Sequence, residues 1–453
     1  MNRLRNLFAI PELRKRLLFT LALLAIYRLG VHVSVPGVNA ENLANALRRG
    51  GGGLFDVVDL FSGGAFKKFS VFALGIAPYI TASIVLQLMG AVVPYLENLQ
   101  KKEGEAGRQK INQWTRYLTV LLAFVQGMGI ASLAQSQNAP GLEVVTSSLS
   151  PTAFRLLAGF TLTVGTIFVM WIGEQITERG IGNGISLLIF AGIVAGLPQA
   201  LTTLTVMITN SLKTPPPANV PPPGIFILLI AAMIVVLLAV VTVENAYRRI
   251  PIHYARRADS AGMSSQRSSY MPLKLNTAGV MPVIFASSVI FFPATIAQFT
   301  RWEWLARAAS YLSPQTHFWI YTPVFVGVVI FFAFFYTSIV FNPDETAENM
   351  KRSGGYIPGI RPGKETSIFM DSILSKLTFV GAIYLALVSI VPLLITNNIQ
   401  GLNFYFGGTS LLIVVGVAMD SAAQLESLLV MRRYDGFLEK GRIRGRSTRG
   451  GAA

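Results

Sequence analysis

The chain's three histidines, His32, His253 and His317, fall at the ends of apolar segments or in the loops between them. No H-E-x-x-H occurs, which would set two metal ligands and a base on one helix face. No G-x-S-x-G occurs, which would raise a serine nucleophile on a strained turn. Cysteine is absent, which removes thiolate nucleophiles, disulfides and zinc–thiolate sites. Without a G-x-x-x-x-G-K-[ST] loop to cradle phosphate, nucleotide-driven work must come from outside. The expectation is a protein with no catalytic residue, no metal site and no cofactor.

What the sequence offers instead is a repeat. GIAPYITAS runs from Gly75 to Ser83 and GVMPVIFAS from Gly279 to Ser287, sharing G-x-x-P-x-I-x-A-S. Glycine and proline interrupting matched membrane segments point to a central pathway. Isoleucines recur beside glycine in such segments: Ile76, Ile80, Ile185, Ile189, Ile284 and Ile413. Meeting in a ring, branched aliphatic chains would make a constriction that excludes water by dewetting and parts without breaking a bond. Isoleucine in a membrane helix also faces lipid or packs against neighbours. On composition alone this second reading is the stronger.

These residues must be positioned by membrane-spanning helices. Of 453 residues, 52% are hydrophobic and 13% charged. A soluble domain carries about 25% charged residues, so lipid is the natural solvent here. Ten stretches are long enough for about 30 Å of hydrocarbon. They are Leu17–Val35, Phe69–Leu96, Tyr117–Ala134, Leu156–Gly173, Ile185–Met207, Gly224–Val243, Ala278–Phe299, Trp319–Phe341, Leu377–Thr396 and Leu402–Met419. The first follows Arg14, Lys15 and Arg16 as a signal peptide would, but no small-residue cleavage site follows Arg28, so it reads as retained.

Ten spans put both termini on one side. With the N-terminus inside, 29 of the 38 Lys and Arg residues lie in inner segments and 8 in outer ones. That bias predicts cytoplasmic termini. It also turns the net charge of +16 into a basic cytoplasmic face, suited to anionic lipid. Two inner loops, 244–277 and 342–376, are longer than a connection needs. One carries Arg248, Arg249, Arg256 and Arg257, the other Lys351, Arg352, Arg361 and Lys364. Such loops suit an acidic partner or an RNA backbone as well as lipid.

Each repeat motif lies in the second span of a five-span half. Five is odd, so the second half enters from the opposite side and the halves form an inverted pair. The predicted organisation is 1–210, a Pro-rich hinge loop at 211–223, 224–431, and a basic tail at 432–453. Pro215–Pro217 and Pro221–Pro223 make that linker extended and stiff. Before the second span, LFSGGAFKKFSVF (60–72) mixes apolar and basic residues around Gly63-Gly64. It reads either as a re-entrant half-helix in a cavity or as an interfacial amphipathic helix.

At these residues the sequence resembles the SecY/Sec61-alpha family of translocon channel subunits. The matching stretches are DLFSGGAFKKFSVFALGIAPYITASI (59–84), ERGIGNGISLLIFAGIVAGLP (178–198), NTAGVMPVIFASSVIFFPAT (276–295), FNPDETAENMKRSGGYIPGIRPG (341–363) and FYFGGTSLLIVVGVAMD (404–420). The resemblance implies an all-α integral membrane protein: ten transmembrane helices in two inverted halves with a short re-entrant plug helix. It implies a pore that passes unfolded polypeptide and releases hydrophobic segments sideways into lipid. The six isoleucines fall at the pore-ring positions. The plug would comprise Leu60, Phe61, Ser62, Gly63, Gly64, Ala65, Phe66, Lys67, Lys68 and Phe69. A lateral gate, between spans two and three and spans seven and eight, would involve Thr81, Gln87, Gln126, Ser287 and Phe292.

The implied partners are the SecE and SecG subunits, the SecA motor ATPase, the ribosome, signal peptides and nascent polypeptides. The two basic loops would dock the ribosome and the motor, with Arg361 at the family's key cytoplasmic arginine. The tail arginines Arg442, Arg444, Arg446 and Arg449 read as solvated or lipid-facing. Two rivals make different demands. A secondary transporter needs ionisable groups at mid-span, and an intramembrane enzyme needs a catalytic pair at depth. The spans supply neither.

Overall fold

In lipid, backbone N–H and C=O groups find no partner but each other, so apolar spans must close their hydrogen bonds within helices. The computed structural model describes residues 10–49, 59, 62–101, 103–137, 144–145, 150–213, 222–254, 269–297, 303–312, 317–398 and 408–442. Within these residues the helices are α1 (Pro11–Gly30), α2 (Ala40–Arg49), α3 (Ala77–Val92), α4 (Pro94–Lys101), α5 (Gly104–Ser136), α6 (Pro151–Arg179) and α7 (Gly184–Ser211). There follow α8 (Pro223–Glu244), α9 (Met281–Ala297), α10 (Glu303–Tyr311), α11 (Phe318–Val340), α12 (Pro343–Arg352), α13 (Lys364–Asn398) and α14 (Gly408–Arg442).

Seven of these are long and apolar enough to cross a membrane: α5, α6, α7, α8, α11, α13 and α14. They coincide with seven of the ten expected spans. The first expected span is carried by α1, which begins earlier than expected and ends at Gly30. The other two are shorter than expected. The span placed at Phe69–Leu96 is helical over α3 and, past a break at Val93, over the start of α4, while the one placed at Ala278–Phe299 becomes helical only at Met281, with 298–299 outside the described residues. At 1.5 Å per residue the 16 residues of α3 reach about 24 Å, short of the hydrocarbon thickness.

Both short helices begin alike. Gly75 (φ +54°) stands two residues before α3, and Pro78 is its second residue. Gly279 (φ +61°) stands two residues before α9, and Pro282 is its second residue. A left-handed glycine breaks the incoming chain, and proline, lacking an N–H that the first turn would leave unpaired, starts the helix. Other helix starts are capped by side chains. Ser150 accepts from the Ala153 N–H, Asn183 from Ile185 and Ser186, and Asn342 from Asp344 and Glu345.

Among the described residues three strands stand outside the bundle: β1 (Tyr247–Tyr254), β2 (Ser269–Lys274) and β3 (Gly355–Tyr356). They form an antiparallel sheet in the order β2-β1-β3. β1 and β2 belong to the long loop 244–277 and β3 to the long loop 342–376. His253 pairs with Tyr356 and Tyr254 with Gly355, so the two loops are one folded platform. Its core is Ile250, Ile252 and Leu273 packed on Met350, Ile357, Met370, Ile373 and Leu377. The main apolar core draws buried residues from α1, α3, α6, α7, α8, α9, α11, α13 and α14. The proline-rich linker at 214–221 lies outside the described residues.

Candidate functional site

Ile76 caps the N-terminus of α3 and Ile80 lies one turn on. Ile185 and Ile189 occupy the first two turns of α7, Ile284 the first turn of α9, and Ile413 the second turn of α14. Five of the six are buried in one cluster, and Ile185, half-buried, packs against it. None of them is turned outward with the exposed apolar residues of α8, such as Leu228 at 70% exposure. The same cluster takes in Ile84, Ile172, Ile176, Ile193 and Ile290, which sequence reasoning did not single out. Nothing in local spacing distinguishes those isoleucines from the lipid-facing ones.

The segment expected as a plug packs beside this cluster. Leu60 and Phe61 lie outside the described residues. Ser62, Gly63, Ala65, Phe66 and Phe69 are buried, Gly64 and Lys67 are half-buried, and Lys68 is exposed. Residues 63–69 form successive turns rather than regular helix, because Gly63 (φ +68°), Gly64 (φ +86°) and Phe69 (φ +44°) all adopt left-handed backbone. Ala65 lies in the central cluster, while Phe66 and Phe69 lie in a second one with Ala123, Phe154 and Leu162.

Asp59 organises these turns. Its carbonyl accepts from the Gly64 N–H at 2.9 Å and the Ser62 hydroxyl at 3.1 Å. Its carboxylate accepts from the Lys67 N–H at 3.0 Å and lies 3.6 Å from the Lys67 ammonium. The strand-like exit is fixed by Val35 N–H to Phe69 O and Val71 N–H to Val33 O, both 2.9 Å. From α1, Tyr27 Oη donates to the Ser62 carbonyl at 3.3 Å and Arg28 Nη1 to the Gly63 carbonyl at 2.6 Å. Sequence reasoning missed Asp59, Tyr27 and the role of Arg28. The available signal was a guanidinium near the end of an otherwise apolar span.

The expected gate residues lie on helices that touch. α3 packs against α5 and α9, and α9 packs against α11. Thr81 Oγ1 donates to the Ala77 carbonyl at 3.0 Å, Ser287 Oγ to Ile284 at 2.9 Å, and Gln87 Nε2 to Ser83 Oγ at 3.0 Å. Their donor groups are thus engaged along their own helices. Gln126 is half-buried on α5, and Phe292 on α9 is 40% exposed. Away from that seam the two halves also join where α14 packs on α7, and Gln424 Oε1 accepts from the Gly182 N–H.

On the platform Arg248 and Arg249 are exposed on β1. Lys351 and Arg352 end α12, with Arg352 Nη2 donating to Glu348 at 2.7 Å. Arg361 is exposed, and its carbonyl accepts from Thr366 Oγ1 at 2.8 Å, pinning the turn that leads to exposed Lys364 at the start of α13. Arg256 and Arg257 lie outside the described residues, as do Arg444, Arg446 and Arg449 of the tail. Among the described residues no group of three or more His, Asp or Glu side chains is gathered as a metal site would require.

A family model described as SecY matches residues 70–422. The protein translocase subunit SecY of Escherichia coli (strain K12) is 45% identical over 442 residues, which cover 96% of this chain and 96% of that relative. Among solved structures, a protein-conducting channel superposes with a TM-score of 0.65 at 17% identity, covering 91% of this chain and 92% of its own. Sec61 in a canine ribosome–channel complex from the endoplasmic reticulum reaches 0.62 at 16% identity, over 91% and 92%. At such identities the two structures establish the fold, and the end-to-end match in sequence establishes kinship. The chain belongs to the SecY family.

Proposed function

We propose that this protein is the central pore-forming subunit of a protein-conducting channel, passing unfolded polypeptides across the membrane and releasing hydrophobic segments laterally into the bilayer. One observation carries the reading. Five of the six isoleucines are buried in a single apolar core and the sixth, Ile185, packs against it, and the two short helices that contribute to it begin on the same Gly-x-x-Pro break. A channel for arbitrary sequences cannot read side chains, because a lining of directional polar groups would trap its cargo. An apolar waist touches a passing chain weakly and closes behind it.

In this reading the six isoleucines form the pore ring and residues 60–69 the plug. The contact between α3 and α9 is the closed lateral gate, and 211–223 is the hinge between inverted halves 1–210 and 224–431. The protein lies in the cell membrane with both termini cytoplasmic, a placement supported by the Lys and Arg bias. The β2-β1-β3 platform then faces the cytoplasm and presents Arg248, Arg249, Lys351, Arg352, Arg361 and Lys364 together. It docks the ribosome and the motor ATPase SecA. SecE and SecG complete the channel, signal peptides enter at the gate, and anionic lipids meet the basic tail. The subunit performs no chemistry of its own.

The test is transport in proteoliposomes holding the chain with its partner subunits. With the motor ATPase and ATP present, an unfolded secretory precursor becomes protected from external protease, and without the chain it does not. Equal protection in both preparations refutes the proposal.

A further inference from the structure

The last turn of α1 holds the candidate plug by two successive peptide carbonyls. Tyr27 Oη donates to Ser62 O at 3.3 Å, and Arg28 Nη1 donates to Gly63 O at 2.6 Å. The Tyr27 ring also stacks on Phe72, beyond the plug, with centroids 6.0 Å apart. A guanidinium on a membrane helix is costly unless it faces the protein interior and finds an acceptor. Arg28 finds one, and it is the backbone of a segment 35 residues away. The bond is charge-assisted and short, of the stronger class.

Gly63 is also tightly packed. A Cβ built on it would lie 2.8 Å from the Gly192 Cα of α7 and 3.5 Å from Arg28 Nη1. The glycine therefore sits against both the α1 guanidinium and the helix that carries Ile185 and Ile189, with no room for a side chain. Neither contact crosses to the second half of the chain. Both acceptors are main-chain oxygens, so the grip depends on where the plug's backbone lies and not on its side chains. Moving the plug away breaks both bonds and leaves the guanidinium to find water or another acceptor.

We infer that Arg28 is a positioning residue for the plug: a latch that, with Tyr27, sets the threshold for leaving the sealed state. This rests on reading residues 60–69 as the plug. The natural absence of cysteine makes it directly measurable. Ala65, fully buried beside the latch, is replaced as Ala65→Cys in the complete translocon complex. Its labelling by a membrane-impermeant thiol reagent from the outer side then reports plug departure. Adding Arg28→Gln is expected to speed labelling about tenfold and to raise resting ion conductance. Tyr27→Phe, which keeps the ring stack and removes only the hydroxyl donor, has a smaller effect in the same direction. Arg16→Gln, an exposed cation at the other end of α1, changes neither.

A merely structural role for Arg28 would lower the thermal unfolding midpoint without selective exposure of position 65, and that result overturns the latch. Should Arg28→Gln fail to assemble, Tyr27→Phe decides by the same two readouts. Deletion of 63–67 separates this inference from the plug reading beneath it. If the deletion leaks while both latch variants stay sealed and slow to label, the plug stands and the latch is wrong. If the deletion itself stays sealed, the plug reading is wrong.

Discussion

Gly75 and Gly279 hold the same position ahead of two different helices, each with positive φ and each three residues before a proline. The nine-residue motif around them is thus a backbone device used twice: a break, a proline start, and an isoleucine one turn in. It accounts for the shortness of α3 and α9, because the left-handed residue ends any helix approaching from the N-terminal side.

Alanine at either glycine is expected to cost about 1–2 kcal/mol, the price of left-handed backbone for a residue with a Cβ. Space is not the obstacle. A Cβ on Gly279 meets nothing within 4 Å, and one on Gly75 makes only ordinary contact with Ser62. Gly224, equally open but without positive φ, should accept alanine without loss. Detergent-solubilised unfolding curves of the three variants check this. Equal behaviour of Gly279→Ala and Gly224→Ala would remove the conformational argument.

Ile80→Ser and Ile284→Ser should each make the resting channel leak ions. Both side chains are buried in the central cluster, and a hydroxyl there invites water into a dewetted waist. A barrier lowered by about 1.4 kcal/mol raises the conducting fraction roughly tenfold. Planar-bilayer recordings of the reconstituted complex are the measurement, and unchanged conductance takes these residues out of the ring.

Ile252→Asp should loosen both long loops, 244–277 and 342–376, together. Ile252 is buried in a core shared with Met350, Ile357 and Met370, and an unpaired carboxylate there costs several kcal/mol. Limited proteolysis is expected to gain cuts in the β1–β2 connection and also near Tyr356, about 100 residues later in sequence. New cuts confined to the first loop would mean that the platform does not act as one unit.

Arg361→Glu should impair motor-driven export while membrane insertion and thermal stability stay near those of the parent. The side chain is exposed, and the turn beneath it is held by its carbonyl rather than its guanidinium. Charge reversal therefore changes the surface and leaves the fold. Export assays in inverted membrane vesicles read the effect, and normal export rejects a docking role.

Hydrophobic length made most of the bundle legible. α8 and α11 carry no charge within their expected spans, and their helices fall within a residue or so of expectation at most ends. It misjudged α3 and α9 for a physical reason. Residues 69–76 are almost wholly apolar, and hydropathy cannot tell apolar helix from apolar turns buried in protein. The six isoleucines were visible only as types beside glycine. That they converge depends on α3, α7, α9 and α14 meeting, which no local pattern encodes. Ile250 and Ile252 show the alternation of a half-buried strand, yet the pairing of His253 with Tyr356 joins segments too far apart to be read locally. Arg28 was conspicuous as a charge in an apolar span, but its acceptor is a main-chain oxygen, and backbone partners leave no trace in side-chain identity.

Thiol mapping of the waist tests the account most directly. Single cysteines at 76, 80, 185, 189, 284 and 413 each report only their own position, since the chain has no other cysteine. In resting membranes all six should resist a water-soluble thiol reagent from both sides. With a stalled export substrate in place, all six should cross-link to it, and a cysteine at the outward-facing Leu228 should not. Cross-links that favour Leu228, or ring positions that label freely at rest, would contradict an apolar constriction closing around the moving chain.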